Sequence, residues 1–335
     1  MEQATISKLL SVNRQFYQTF AEAFDATRQR IQPGVQRVLA RVLDLIPNDA
    51  RILDLGCGNG ELARELARRG FRGTYTGVDF SEGLLQAARE TCQVFEQTKF
   101  ANLTGLTFVQ RDLTAPDWEV GLEGPFDVVM AFAVLHHLPV PFHAEIVRKV
   151  RALLARHSEE LPRRGIPETS VAPLPEKGND QPASGGFLTG VRNDTPLETS
   201  HSEEALRRGS PETGVSPLPE KGNDQPASGG FLADARNDRF EKGIFILSNW
   251  QFLNSPRWQA RIQPWERVGL TREEVELDDY LLDWRRGGEG LRYVHHFSEA
   301  ELDALAGGAG FEIVESFDSD GKEGNLGLYQ IWRPV

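Results

Sequence analysis

The chain has 335 residues, a formal net charge of −12 and 39% apolar residues. That length allows one large domain or two modest ones. The acidic balance excludes a protein that grips nucleic acid through a broad basic face of its own, though it leaves room for a local basic patch. The two cysteines and seven histidines show neither C-x-x-C nor H-E-x-x-H spacing, so neither a disulfide framework nor a metal site is expected. No apolar run approaches the roughly 20 residues that span a bilayer. The start, Met1-Glu2-Gln3-Ala4-Thr5, lacks a basic, apolar leader, and a soluble, cytoplasmic protein is expected.

In chain order, Leu9, Leu10, Val12, Phe16, Phe20 and Phe24 recur at helical spacing across residues 6–31. Pro33-Gly34 breaks the pattern, and a second helix is expected over Val35 to Leu45. Next comes Arg51-Ile52-Leu53-Asp54-Leu55-Gly56-Cys57-Gly58-Asn59-Gly60. An apolar strand, a glycine loop and the helical run Glu61 to Arg69 form the first half of a βαβ unit. The spacing is G-x-G-x-G, not the G-x-G-x-x-G of dinucleotide sites. The strand also ends in Asp54, an acid that repels a pyrophosphate but suits a ligand bearing an ammonium group. That pairing points to S-adenosylmethionine rather than NAD.

A second strand, Gly73 to Val78, ends in Asp79, placed to grip the two hydroxyls of a ribose; a plainer reading is that Asp79 or Ser81 caps the helix Glu82 to Cys92. A third, Leu106 to Arg111, ends in Asp112, an acceptor for an adenine amino group or simply a surface-loop acid. A fourth, nearly all-apolar segment runs from Pro125 through Phe132 and Ala133 to the pair His136-His137. The helix Phe142 to Arg156 follows, with Ile146, Val147, Val150, Leu153 and Leu154 as its apolar stripe.

Together these residues resemble class I S-adenosylmethionine-dependent methyltransferases. The resemblance implies an α/β fold: a Rossmann-like sheet of seven strands, the last pair antiparallel, with helices on both faces. It implies that Asp54, Gly56, Gly58 and Gly60 contact the methionine end of the cofactor, Asp79 the ribose and Asp112 the adenine, with Phe132 and Ala133 under the sulfonium. In such enzymes a helix before the first strand lids the pocket. Residues 1–50 are assigned that role, with Tyr17 and Arg28 as its cofactor contacts.

Between residues 157 and 239 the chain repeats itself. Glu176 to Leu188 recurs from Glu220 to Leu232. The copies are rich in Pro, Gly, Ser, Asn and Glu and show no structural period, so a duplicated, disordered insertion is expected. A methyltransferase domain is then split into 51–156 and 240–335. The strand Gly243 to Ser248 resumes it, and Asn249 to Trp265 follows, rich in Trp, Arg, Asn and Gln. Such a stretch stacks a base and holds phosphate, or buries its tryptophans as a cap. A helix over Glu299 to Ala306, boxed by Ser298 and Glu301, precedes the strands Phe311 to Phe317 and Leu326 to Trp332.

The C-terminal third is similar to eukaryotic tRNA wobble-uridine carboxymethyl methyltransferases. Asp279-Tyr280-Leu281-Leu282-Asp283-Trp284 precedes Leu291-Arg292-Tyr293-Val294-His295, and Glu301-Leu302 opens a helix; Val294 and Ala300 depart from that family's pattern. Phe24-Asp25-Ala26-Thr27-Arg28 and Gly324-Asn325 also match. The resemblance implies methylation of a carboxylate on a tRNA wobble uridine, with Arg292 holding it and Tyr293 and His295 orienting the base. It also implies a small zinc-binding activator subunit as partner. A carboxylate, with pKa about 4, is ionised at neutral pH and needs no general base. Two other readings stay open: a small-molecule carboxylate or hydroxyl O-methyltransferase, and a non-enzymatic cofactor-binding module.

Overall fold

The computed structural model describes residues 1–26, 30–96, 103–154 and 243–335. Arg28 and the duplicated insertion at 157–239 lie outside the described residues.

In order, the elements are α1 (Gln3–Asp25), α2 (Pro33–Val42), β1 (Arg51–Leu55), α3 (Glu61–Arg68), β2 (Thr74–Asp79), α4 (Glu82–Glu96), β3 (Gly105–Gln110), β4 (Val128–Phe132) and α5 (Val140–Leu153). Then follow β5 (Ile244–Trp250), α6 (Pro256–Gln259), β6 (Ile262–Gln263), β7 (Asp279–Trp284), β8 (Gly290–His295), α7 (Glu299–Gly308), β9 (Phe311–Ser319) and β10 (Gly327–Pro334). Seven strands form one sheet in the order β3-β2-β1-β4-β5-β10-β9. β1 pairs in parallel with both β2 and β4, while β10 runs antiparallel to β5 and β9. This is the Rossmann-like methyltransferase sheet, with its last pair antiparallel as the sequence implies.

Strand alternation explains why both faces are covered. Ile52, Val128, Met130, Ile244 and Ile246 pack with Val38 and Leu39 of α2 and Leu62 and Leu66 of α3. Their neighbours Leu53, Val129, Phe245 and Leu247 pack on the other side with Val147 of α5 and Leu302 of α7. A sheet buried on both faces is apolar at every position, which is why β1, β4 and β5 are continuous apolar runs. Among the described residues no helix is long and apolar enough to cross a membrane.

Two features depart from the sequence expectation. The first helix bends at Phe20 (φ −113°, ψ 17°) and ends at Asp25 rather than running to residue 31. The stretch after β5 is neither a bare loop nor a simple cap: it leads into a second sheet, order β6-β7-β8. Its hairpin turns at Gly287 (φ 68°) and Gly288 (φ 137°), a backbone that side-chain-bearing residues avoid.

α1 docks on the edge strand of this second sheet. The Asn13 amide donates to Tyr293 O (3.1 Å) and His137 O (2.8 Å), and its Oδ1 accepts from Tyr293 N (2.8 Å). One side chain thus pairs the edge N–H of Tyr293 and shares its carbonyl with His137 Nδ1 (3.3 Å).

Candidate cofactor and acceptor site

Strand order reverses between β1 and β4, and in open α/β sheets the crevice at such a switch point is where ligands bind. The glycine loop leaves β1 there. Gly56, Gly58 and Gly60 all have positive φ (68°, 54° and 74°), which explains the G-x-G-x-G spacing. Gly56 N and Cys57 N both donate to Val78 O (2.7 and 3.0 Å), and Gly58 N donates to Asp79 Oδ2 (3.0 Å). The loop is therefore tied to the end of β2. A Cβ on Gly56 would meet Val134 Cγ2 at 2.6 Å, whereas one on Gly58 would meet nothing within 4 Å. Gly58 borders open space that a ligand can fill.

That space is a cavity of about 560 Å³. Asp54, Gly56, Gly58, Asp79, Asp112, Phe132, Ala133 and Tyr17 all line it, so the structure brings these expected cofactor residues together. Gly60 does not line it; it sits one step behind, as the left-handed N-cap of α3.

The acids differ in state. Burial pushes the Asp54 carboxyl up to about 7; a hydrogen bond from Tyr75 (2.5 Å) opposes this and the nearby Asp79 adds to it. Burial also raises Asp79, although Ser81 N (2.8 Å) and Gly58 N donate to it. Asp112 goes the other way: burial would raise it, but Thr114 and Arg14 hold it below its ordinary value. One Asp112 oxygen accepts from Thr114 N and Oγ1 (3.0 and 2.6 Å), and the other pairs with Arg14 of α1. The cap of α4 is Ser81, whose hydroxyl accepts from Leu84 N (3.4 Å), so Asp79 is left to hold the glycine loop and face the cavity. Burial, with Asp54 and Asp79 close by, holds the Cys57 thiol well above its usual range, so this loop cysteine stays protonated.

Ala133 has φ 58°, an uncommon backbone for alanine. It is held there because its N–H donates to Ser248 O (3.0 Å) and Oγ (3.2 Å). Strain of this kind concentrates at functional sites. Tyr17 meets Phe80 and His137 edge-on, each at 5.6 Å between ring centres. His136 is buried, its Nδ1 accepting from Trp250 N at 3.4 Å. His137 is half-buried, and both histidines line the cavity.

Across the cavity stands Arg292, 4% exposed. Its guanidinium lies 4.7 Å from the Trp250 ring centre and 5.7 Å from those of Phe16 and Trp284. Tyr293 and His295, expected to act beside it, are not on the cavity wall. Side chains alternate along a strand, so Arg292 and Val294 face one way and Tyr293 and His295 the other. The Tyr293 hydroxyl donates to Asp279 Oδ1 (2.7 Å), and His295 Nδ1 lies 2.8 Å from the same oxygen. Their place is a buried network behind the sheet.

Sequence reasoning missed Arg14, and it left Trp284 and Asn249 without a site role. Leu10, Asn13, Arg14 and Tyr17 all line the cavity, and their spacing is one helical stripe that the sequence already displays. Asn249 lines the cavity, is 1% exposed, and neither its Nδ2 nor its Oδ1 has a hydrogen-bond partner. A buried amide left in this state calls for a polar ligand or water. Arg257, Arg261, Arg285 and Arg286 line the outer wall, a local basic rim on an acidic chain.

Comparisons with known proteins agree with this geometry. Residues 52–157 match the family described as "Methyltransferase domain". The chain is 33% identical over 104 residues to a ubiquinone biosynthesis O-methyltransferase of Pseudomonas aeruginosa (strain LESB58), covering 31% of this chain and 39% of that protein. It is 37% identical over 95 residues to a 2-phytyl-1,4-naphtoquinone methyltransferase of Nostoc, covering 27% and 42%. The match thus spans less than half the length of these curated relatives. Among solved structures, magnesium protoporphyrin IX methyltransferase from Synechocystis PCC 6803, with bound SAH, superposes with a TM-score of 0.51 at 15% identity, covering 98% of this chain and 100% of that one. The PH0226 protein of Pyrococcus horikoshii OT3 gives 0.50 at 13% identity, covering 96% and 99%. Residues 52–157 thus match a methyltransferase domain, and the fold around them is the Rossmann-like sheet that these solved structures share.

Proposed function

We propose that this chain transfers the methyl group of S-adenosylmethionine to an oxygen of a planar, anionic small molecule, a carboxylate or an acidic hydroxyl. The observation that carries the reading is Arg292 on the cavity wall, a cation nearly out of water among three aromatic rings, of which Trp250 and Trp284 also line the cavity. A flat acceptor stacks on such rings, and a guanidinium pairs its anionic oxygen in a charge-assisted bond. The names of the quinone-methylating relatives also favour a small aromatic acceptor over a nucleic acid.

The cofactor supplies an electrophilic methyl on a sulfonium. The residues of the chain supply placement. Gly58 leaves room for the methionine end, Asp54 meets its ammonium, and Asp79 takes the ribose hydroxyls. The rings of Tyr17, Trp250 and Trp284 exclude water around the acceptor oxygen. A carboxylate acceptor is already ionised, so no residue of the chain needs to take a proton from it. Catalysis then rests on holding oxygen, carbon and sulfur in line.

The tRNA wobble-uridine reading, with its zinc-binding activator subunit, is kept as a second possibility because Arg257, Arg261, Arg285 and Arg286 ring the same opening. Labelled S-adenosylmethionine, offered with a panel of aromatic carboxylic and hydroxy acids and with carboxymethyluridine-bearing tRNA plus activator, separates the two. Transfer to a small acid, giving a base-labile ester where the acceptor is a carboxylate, is the expected result. Transfer to tRNA alone moves the assignment to the second reading.

Two glycine variants test the cradle. Gly56→Ala is expected to destabilise the fold by about 1–3 kcal/mol, because positive φ and a clash with Val134 coincide. Gly58→Ala meets no protein atom within 4 Å, so it carries only the strain of its positive φ, about 1–2 kcal/mol, while its methyl enters the ligand's space. Thermal melts paired with S-adenosylhomocysteine titrations should show the larger loss of stability in Gly56→Ala and the larger loss of affinity in Gly58→Ala.

Asp54 predicts a pH dependence. Its carboxyl is raised to about 7 from the ordinary 3.8. The native state therefore holds an extra proton between those values. Any stability that this proton contributes is full at low pH and fades as pH rises through about 7. An ammonium ligand needs the ionised form, so affinity should fall below pH 7, by at most about tenfold per pH unit. Asp54→Asn should flatten that slope in a pH series of titrations.

A further inference from the structure

Away from the cavity, three potential ligand atoms converge. His143 on α5, His295 at the end of β8 and Glu301 in the first turn of α7 each offer one, all within 4.8 Å of one another. Both histidines are buried and Glu301 is partly exposed. None of the three lines the cavity.

What distinguishes the cluster is how its rings are held. His143 Nε2 lies 2.7 Å from Leu138 O and 3.2 Å from Leu135 O. Carbonyl oxygens only accept, so Nε2 carries the proton and Nδ1 keeps its lone pair. His295 Nδ1 lies 2.8 Å from Asp279 Oδ1, and its Nε2 lies 2.9 Å from Glu301 Oε1. Asp279 is itself fixed by the Tyr293 hydroxyl and by Glu276 N (3.0 Å). His143 thus has Nε2 tied to backbone carbonyls, and His295 has Nδ1 tied to Asp279, the kind of outer contact that orients metal-bound histidines, while its Nε2 faces Glu301. Glu301 adds to the case. The Ser298 hydroxyl accepts from Glu301 N (3.2 Å), as the expected capping box requires. The Glu301 carboxylate, however, turns to His295.

We infer that His143, His295 and Glu301 form a binding site for one divalent cation of the zinc type. Two imidazole nitrogens and one carboxylate oxygen are a donor set that zinc takes. Zinc bonds of about 2.0–2.2 Å put tetrahedral ligand atoms about 3.3–3.6 Å apart, so the cluster closes inward by roughly an ångström on binding. Binding displaces the proton that His295 Nε2 otherwise shares with Glu301. Burial alone would depress that ring, but its bonds to Asp279 and Glu301 raise it to about 9, while burial and the His295 charge hold His143 down at about 4. The ion joins α5, β8 and α7, and β8 carries Arg292. Its role is to brace the acceptor side of the site from behind.

The test uses the full chain, stripped with a chelator and titrated with zinc chloride by calorimetry, with metal counted by mass spectrometry. One zinc per chain, a higher Tm and, with cobalt in its place, the strong visible bands of a tetrahedral site are expected. Glu301→Gln keeps a helix-forming side chain at a partly exposed position and should weaken zinc binding at least about tenfold. His143→Gln should do the same, and S-adenosylhomocysteine binding by both variants reports that they are folded. A wild-type chain that takes up no stoichiometric zinc overturns the inference. So does zinc binding that neither variant alters.

Discussion

Asp79→Ala is expected to weaken S-adenosylmethionine binding by about 100-fold or more. Hydrogen bonds to a charged group contribute about 1.5–3 kcal/mol each. A carboxylate gripping both ribose hydroxyls makes two of them, and every 1.4 kcal/mol is about tenfold in affinity. The side chain also anchors the glycine loop, since Gly58 N and Ser81 N donate to it. The variant therefore loosens the loop as well as the ribose. Asp79→Asn keeps a single acceptor oxygen for those amides and should lose less stability while still losing much of the affinity. Calorimetric titration with S-adenosylhomocysteine, read beside a thermal melt of each variant, separates the two contributions. Affinity within about threefold of wild type for Asp79→Ala would remove this residue from the cofactor site.

Arg292→Ala should lower kcat/KM for the acceptor by about 30- to 3,000-fold while leaving cofactor affinity within about twofold. Truncating one partner of a buried, hydrogen-bonded charge pair costs about 2–5 kcal/mol. The residue lines the cavity and sits among Phe16, Trp250 and Trp284, so on the proposed reading its loss is felt at the acceptor. Arg292→Lys should restore little, because a planar guanidinium stacks between rings in a way an ammonium does not. Steady-state rates on an identified acceptor, with cofactor affinity measured separately, give the answer. Equal losses in both quantities would mean that Arg292 supports the fold and not the acceptor.

The cofactor half of the site was legible because its residues answer to local backbone physics. Gly56, Gly58 and Gly60 are glycines because all three need positive φ, and Asp54 and Asp79 end strands whose apolar runs are visible in the sequence. The acceptor half depends on which way strands point, which a resemblance between motifs does not convey. Treating Arg292, Tyr293 and His295 as one catalytic group ignored the two-residue period of a strand, which by itself separates the first from the other two. The stripe of Leu10, Asn13, Arg14 and Tyr17 was legible as a helix face, but no local rule says that this face closes a pocket. That fact comes from Asn13 pairing with the edge of β8, a contact between residues far apart in the chain. The second sheet hid for a similar reason: β6 is only two residues long, and β7 reads as a plain apolar run. The Gly287-Gly288 turn was its one local signal.

The most direct test of the account is a calorimetric titration of S-adenosylmethionine into the full chain near pH 8, where Asp54 is ionised. The account predicts saturable binding of one molecule per chain, weakening as the pH is lowered through about 7. Heat that never saturates, or saturable binding of NAD in its place, would contradict the assignment of the glycine loop, Asp54 and Asp79 to this cofactor.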